Sequence, residues 1–197
     1  MSYFKKTEYE IVLKDSFPVL RGCPKCGRRT DFVNTKKFRV NANGGKLDVW
    51  LIYQCEVCKH TFNLTVYERQ KVSAIPKKEY SSFLDNDERL ADMYGKNIQL
   101  FRKNKADIDL ERLNYGYVRL GETGESNDPE DGSLITIHNP YRLKIHPEKQ
   151  IAQVLGLSRS RVKCLLEEGK ISLEEQQGQW ISFGISGCAE DIPTETK

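Results

Sequence analysis

Four cysteines in two CxxC pairs, Cys23/Cys26 and Cys55/Cys58, are the residues of this chain whose type and spacing speak most directly of chemistry. A CxxC turn aims two thiolates at one point, and two such turns brought together make the tetrahedral four-sulfur cage that holds Zn2+. A cage filled entirely by protein sulfur has no open position for substrate, so the predicted role of the zinc is structural. His60, two residues past Cys58, reads as a non-ligand because four sulfurs already complete the tetrahedron. Nothing else gathers into a catalytic constellation. The three histidines are scattered, no nucleophile stands beside a base, and Asp85, Asp87, Glu88 and Asp92 read as helix caps and a solvated helix face. The chain is therefore expected not to be an enzyme.

The second group with chemical meaning is cationic. Arg159, Ser160, Arg161 and Lys163 follow Ser158, a natural N-cap, and would gather at a helix start whose free amides already favour anions. Arg142 and Lys144 precede them, Lys170 follows, and Arg28, Arg29, Lys36, Lys37 and Arg39 make another basic stretch beyond the first CxxC pair. The formal charge of +3 hides a segregation: +7 over residues 1–75, −4 over 76–133, +4 over 134–171 and −4 over 172–197. Two basic blocks parted by an acidic one suit a polyanionic partner, and these side chains are the candidate nucleic-acid contacts. The same charges are also what an ordinary solvated surface carries.

For the cysteine pairs to meet, the chain between them must double back. Residues 36–41 (KKFRVN) alternate, Asn43-Gly44-Gly45 supplies the positive-φ residues of a tight turn, and residues 46–54 (KLDVWLIYQ) return. Trp50 and Ile52 fall on the face opposite Leu47, Val49, Leu51 and Tyr53, so this strand carries apolar groups on both sides. Phe62 to Tyr67 reads as a further strand, and Thr7 to Lys14 as a strand leading into the ribbon. From Pro76 to Lys103 apolar residues recur at helical spacing. Asn114–Leu120 and Leu134–His138 read as strands flanking a polar, acidic loop. Pro147 to Leu155 and Arg159 to Glu168 read as two short helices joined through Gly156-Leu157-Ser158, with Gly169 as the stop and Gln179–Phe183 as a later strand. Cys164 falls on an apolar helical face and reads as a small buried hydrophobe, far in sequence from Cys188.

The stretch LSRSRVKCLLEEGKI resembles the core of the S4 RNA-binding domain, through Leu157, Ser158, Arg159, Ser160, Leu165, Leu166, Gly169 and Ile171, with Arg142-Leu143 upstream. Lys144 stands where that family has aspartate, and Ser172-Leu173-Glu174 replaces its usual Val-Asn-Gly. The resemblance implies RNA binding. The same segment also fits a DNA-binding helix-turn-helix, with Ala152, Gly156, Val162 and Leu165 at its small, turn and packed positions and a recognition helix from Arg159. The whole order, from FRVNAN and DVWLIYQCEVC to LGLSRSRVKCLLEEG, resembles a bacterial family of uncharacterised proteins with a zinc-binding N-terminus. That likeness implies an architecture and no activity.

The sequence thus predicts an α+β protein: an antiparallel zinc ribbon over 1–75, a helical middle with a strand over 76–121, an acidic loop at 122–133, an S4-like or helix-turn-helix-like module of two helices plus strand over 134–185, and an acidic tail at 186–197. The predicted ligand is nucleic acid, structured ribosomal or transfer RNA before DNA. The alternatives are a DNA-binding regulator and an adaptor whose ribbon face around Trp50 binds protein. The first fifteen residues lack the apolar core of a signal peptide and no membrane-length apolar run occurs, so a cytoplasmic protein is expected. The sequence leaves the oligomeric state open.

Overall fold

The structure, a computed structural model, describes residues 3–123 and 132–186. The chain divides into two compact units. A central unit spans Leu13–Asn114, and a flanking unit joins Met1–Val12 to the chain from Tyr115 onward. In chain order the first strands are β1 (Tyr3–Leu13), β2 (Val19–Cys23), β3 (Arg28–Asn43), β4 (Lys46–Cys55) and β5 (Thr61–Lys71).

In the central unit β2-β3-β4-β5 form an antiparallel sheet in sequence order. The Gly44-Gly45 turn sits between paired Asn43 and Lys46, with φ of 57° and 74°. Both angles lie in the left-handed region that a two-residue hairpin turn requires. Alternation in β4 puts Leu47, Val49, Leu51 and Tyr53 on one face, all fully buried. Three short helices, α1 (Lys77–Leu84), α2 (Glu88–Gly95) and α3 (Ile98–Lys103), cover that face. Helices of six to eight residues do not hold in water alone and draw their stability from docking an apolar side. Here the docking is aromatic. Phe83 meets Phe38 at 4.9 Å and Tyr67 at 5.9 Å between ring centroids, and Phe101 meets Phe17 at 5.1 Å and Tyr53 at 5.9 Å, all edge to face. Such pairs contribute about 0.5–1.5 kcal/mol each beyond the area they bury.

The flanking unit holds β6 (Tyr115–Thr123), β7 (Gly132–His138), α4 (Pro147–Leu155), α5 (Arg159–Glu167), β8 (Ile171–Gln177) and β9 (Trp180–Ile185). Its five-stranded sheet runs β6-β1-β7-β9-β8, with β1 parallel to β7 and β9 antiparallel to both its neighbours. Gly156 ends α4 in the left-handed conformation, φ 66°. The Ser158 hydroxyl caps α5 by accepting from Arg161 N at 3.1 Å. Ile151, Val154, Leu155, Val162 and Leu165 are buried between the helix pair and its sheet.

These observations overturn the predicted architecture. Strand accounts for 47% of the described residues against 25% helix, in two sheets with five short helices. The helices over 77–103 form no module of their own, because the sheet's buried face is the apolar surface they need. The segment Thr7–Lys14 does not lead into the cysteine-bearing sheet; as β1 it fills a slot between β6 and β7. An S4-like module of two helices plus strand is likewise not what forms. α4 and α5 connect strands of a mixed five-stranded sheet completed by the N-terminal strand. The predicted acidic loop and tail fall largely on 124–131 and 187–197, outside the described residues, as does Cys188.

Candidate metal centre and basic surfaces

Each CxxC pair sits at a strand end where the backbone closes the same small turn. Gly27 N–H donates to Cys23 O at 2.9 Å, and Lys59 N–H donates to Cys55 O at 3.0 Å. The residue after the second cysteine is left-handed in both, Gly27 at φ 67° and Lys59 at φ 63°. Because β2–β3 and β4–β5 turn at the same end of the sheet, the two turns face each other. All four sulfurs lie within 4.8 Å of one another, with Cys23–Cys58 at 3.4 Å and Cys26–Cys55 at 3.9 Å. A tetrahedral ion with bonds of about 2.3 Å sets sulfurs about 3.8 Å apart, so the cage fits such an ion without rearrangement. These four cysteines can hold a metal ion. His60 is exposed and outside the cluster.

The electrostatics fit a cation too. Burial works against ionisation of Cys55, but the Thr30 hydroxyl at 3.2 Å and the N–H groups of Cys58 and Val57 outweigh it and bring the thiol down to about 6. At Cys23 burial is similarly outweighed, by the backbone of Cys26 and the Cys58 side chain, and the thiol is lowered. Cys26 is pushed up to about 12, first by the Cys58 side chain and then by burial. Sulfurs this close resist ionising together, and a cation at their centre removes the conflict. Arg112 braces the second turn, reaching Asp31 Oδ2 at 2.8 Å and holding both carboxylate oxygens of Glu56. Sequence reading missed Thr30 and Arg112, whose separation from the CxxC pairs follows no local motif.

The predicted basic residues divide between the units. In the central unit Arg29 pairs with Asp107 at 3.1 Å. Lys36, held at φ 58° in a β3 bulge, pairs with Asp92 at 3.1 Å and Glu88 at 3.6 Å. The Asp92 contact raises the lysine's pKa, and Asn34 and Ser16 join the network that ties the bulge to α2. Arg28, Lys37 and Arg39 are exposed and form no ion pair among the described residues. In the flanking unit Arg161, Lys163 and Lys170 lie near Glu168 or Glu167. Arg159 and Ser160 are exposed at the start of α5, and Arg142 and Lys144 are exposed on the loop before α4. Cys164 is half-buried and donates to Glu168 at 3.0 Å.

One surface was only half visible in the sequence. On the sheet face away from the helices, Trp50 lies across from Arg39 and Thr65, and Ile52 across from Lys37 and Asn63. Trp50 and Ile52 are half-buried. Among the described residues no helix is long and apolar enough to cross a membrane. No curated protein and no solved structure matches this chain. A family model described as a protein of unknown function, DUF1062, matches residues 40–177, from within β3 to the end of β8 and so including the second CxxC pair but not the first. With its model matching most of the chain, that is the family to which this protein belongs.

Proposed function

We propose that this is a zinc-stabilised nucleic-acid-binding protein that takes RNA through unpaired bases on the open face of its four-stranded sheet. The observation that carries the reading is the cross-strand grouping of Trp50 with Arg39 and of Ile52 with Lys37, on the face the helices leave uncovered. An aromatic ring on an antiparallel sheet stacks a splayed base, and cations beside it take the flanking phosphates. Four thiolates at these separations suit zinc, and thiolates that must stay reduced suit the cytoplasm. Arg142, Lys144, Arg159 and Ser160 in the flanking unit add phosphate contacts. A second reading, duplex DNA entered by α5, is favoured by the buried Ala152, Val162 and Leu165, the left-handed Gly156 and the exposed Arg159.

Titrating the metal-loaded protein with a single-stranded RNA, a duplex RNA and a duplex DNA at two salt concentrations tests the proposal. The expected result is preference for unpaired RNA, weakened by salt, with Trp50→Ala costing about 5–150-fold from a stacking contribution of about 1–3 kcal/mol. Preference for duplex DNA transfers the case to the second reading. Absent or salt-independent binding, or full affinity in both Trp50→Ala and Arg39→Glu, overturns nucleic-acid binding at this face. Metal analysis should return one zinc per chain; iron or no metal refutes the zinc assignment.

A further inference from the structure

The flanking unit contains a cavity of about 600 Å³ between the loop before α4, the first turn of α4 and the β8–β9 hairpin. That volume lies within the range of small-molecule sites, about 300–1,000 Å³. Three lining residues are basic, Arg142, Lys144 and His146, and no carboxylate lines the cavity. The start of α4, where Pro147 is the first helical residue and no side chain caps the helix, adds its positive end to the same wall. The indole of Trp180 supplies a flat, half-buried surface.

One polar group in this wall lacks a partner. Gln150 is 3% exposed; its Nε2 donates to Ile145 O at 3.0 Å, but its Oε1 has no hydrogen-bond partner. A buried amide oxygen left unpaired costs about 1–3 kcal/mol, and since this one has essentially no accessible surface, an N–H or O–H from a molecule in the cavity meets it when the Gln150 amide turns toward the opening. The loop around it is braced. Asn139, itself buried, donates to Leu143 O at 2.8 Å and accepts from Leu143 N at 3.0 Å, and the Gln179 amide, assigned with its oxygen toward the guanidinium, accepts from Arg142 Nε at 3.1 Å.

We propose that this cavity binds a nucleoside phosphate, its phosphate on Arg142, Lys144 and the start of α4 and its base against Trp180 with an N–H on Gln150 Oε1. A planar ring, a hydrogen-bond donor and an anionic group are the three features these walls ask for, and a nucleoside phosphate joins them in one molecule. The site belongs to the flanking unit and shares no residue with the sheet face around Trp50; Arg142 and Lys144 are also accessory phosphate contacts in the RNA-binding reading, but a free nucleotide in this cavity goes beyond that reading and stands or falls without the sheet face.

The test is isothermal titration calorimetry of the full, metal-loaded chain with AMP, CMP, GMP and UMP, with adenosine, with inorganic phosphate, and with a 5′-phosphorylated RNA oligonucleotide. At least one nucleotide is expected to bind tenfold or more tightly than either adenosine or phosphate. Lys144→Glu, at an exposed position, and Gln150→Met, which keeps the volume and removes the amide, are each expected to weaken it tenfold or more. Lys37→Glu with Arg39→Glu, which tests the sheet face, should leave nucleotide binding unchanged. The oligonucleotide is compared with the free nucleotides in the Lys37→Glu, Arg39→Glu protein, where binding that is lost on adding Lys144→Glu belongs to this cavity and tells a strand end from a free ligand. No nucleotide binding at millimolar concentration, equal binding of phosphate alone, or unchanged affinity in Lys144→Glu overturns the proposal; circular-dichroism melts confirm that the variants are folded.

Discussion

Replacing Gly95 by alanine should destabilise the central unit, although in an exposed helix the same change would gain about 1 kcal/mol. Gly95 ends α2 outside the left-handed region, so its backbone accepts alanine and only its neighbours object. A Cβ there would stand 2.2 Å from Ser16 Oγ and 2.7 Å from both Asn34 Nδ2 and Ser16 Cβ. The hydroxyl and the amide can rotate away. Ser16 Cβ cannot, and Phe17 N–H donates to Gly95 O at 2.8 Å, holding the two backbones together. Relief therefore requires main-chain movement, an overpacking cost of about 1–3 kcal/mol. Moving Ser16 also weakens its bond from Asn34, at 2.9 Å, and its bond to Asp92, at 3.2 Å. Those two add about 1 kcal/mol each. Set against the helix preference, the net loss is about 3 kcal/mol, a fall in Tm of about 12–24 °C. Urea denaturation of the metal-loaded protein measures it. Ser16→Gly in the Gly95→Ala background should return part of the loss, making the pair less damaging than the sum of the singles. A Gly95→Ala protein as stable as the parent would refute the reasoning.

The two cysteine turns invite a reciprocal exchange. Gly27→Lys places a side chain at φ 67° in open space, and Lys59→Gly removes one at φ 63°, so the first should lose and the second gain about 1 kcal/mol by denaturant melts in zinc. Ser158→Ala removes the acceptor for Arg161 N and should cost about 1 kcal/mol, read as an earlier thermal transition. Tyr53 is raised by burial, then by Asp92. A raised folded pKa leaves stability intact below the free phenol value of about 10 and removes about 1.4 kcal/mol per pH unit above it, so phenolate absorbance should rise together with alkaline unfolding. Chelation with a competitor tighter than the cage should lower the melting temperature, and re-addition of zinc should restore it; an unchanged melt would count against a structural metal.

The metal cage was legible because everything it needs is local. Two CxxC turns and the Asn43-Gly44-Gly45 hairpin set sulfur spacing, strand return and the shared sheet end within the residues between Cys23 and Cys58. The helix pair was legible for the same reason, since Pro147, Gly156, Ser158 and Gly169 are boundary signals read one residue at a time. The use of the cations was not. Lys36 looks like Lys37 in sequence, yet a bulge turns Lys36 to Asp92 and leaves Lys37 exposed on the sheet face. Nor did any local pattern mark Gln150 or Trp180 as walls of one cavity.

By itself the sequence determined the cysteine cage, the tight turns and the helix boundaries, because backbone sterics, capping and ligand spacing act over a few residues. Only the tertiary structure decided which surfaces those elements cover. It paired β1 in parallel with β7, more than a hundred residues on in the chain, laid α1–α3 on the buried face of β4, and set α4 and α5 between two strands of a five-stranded sheet. Strand pairing and apolar burial reward any partner that fits, however distant in the chain, and a local pattern says that a face must be covered without saying by what.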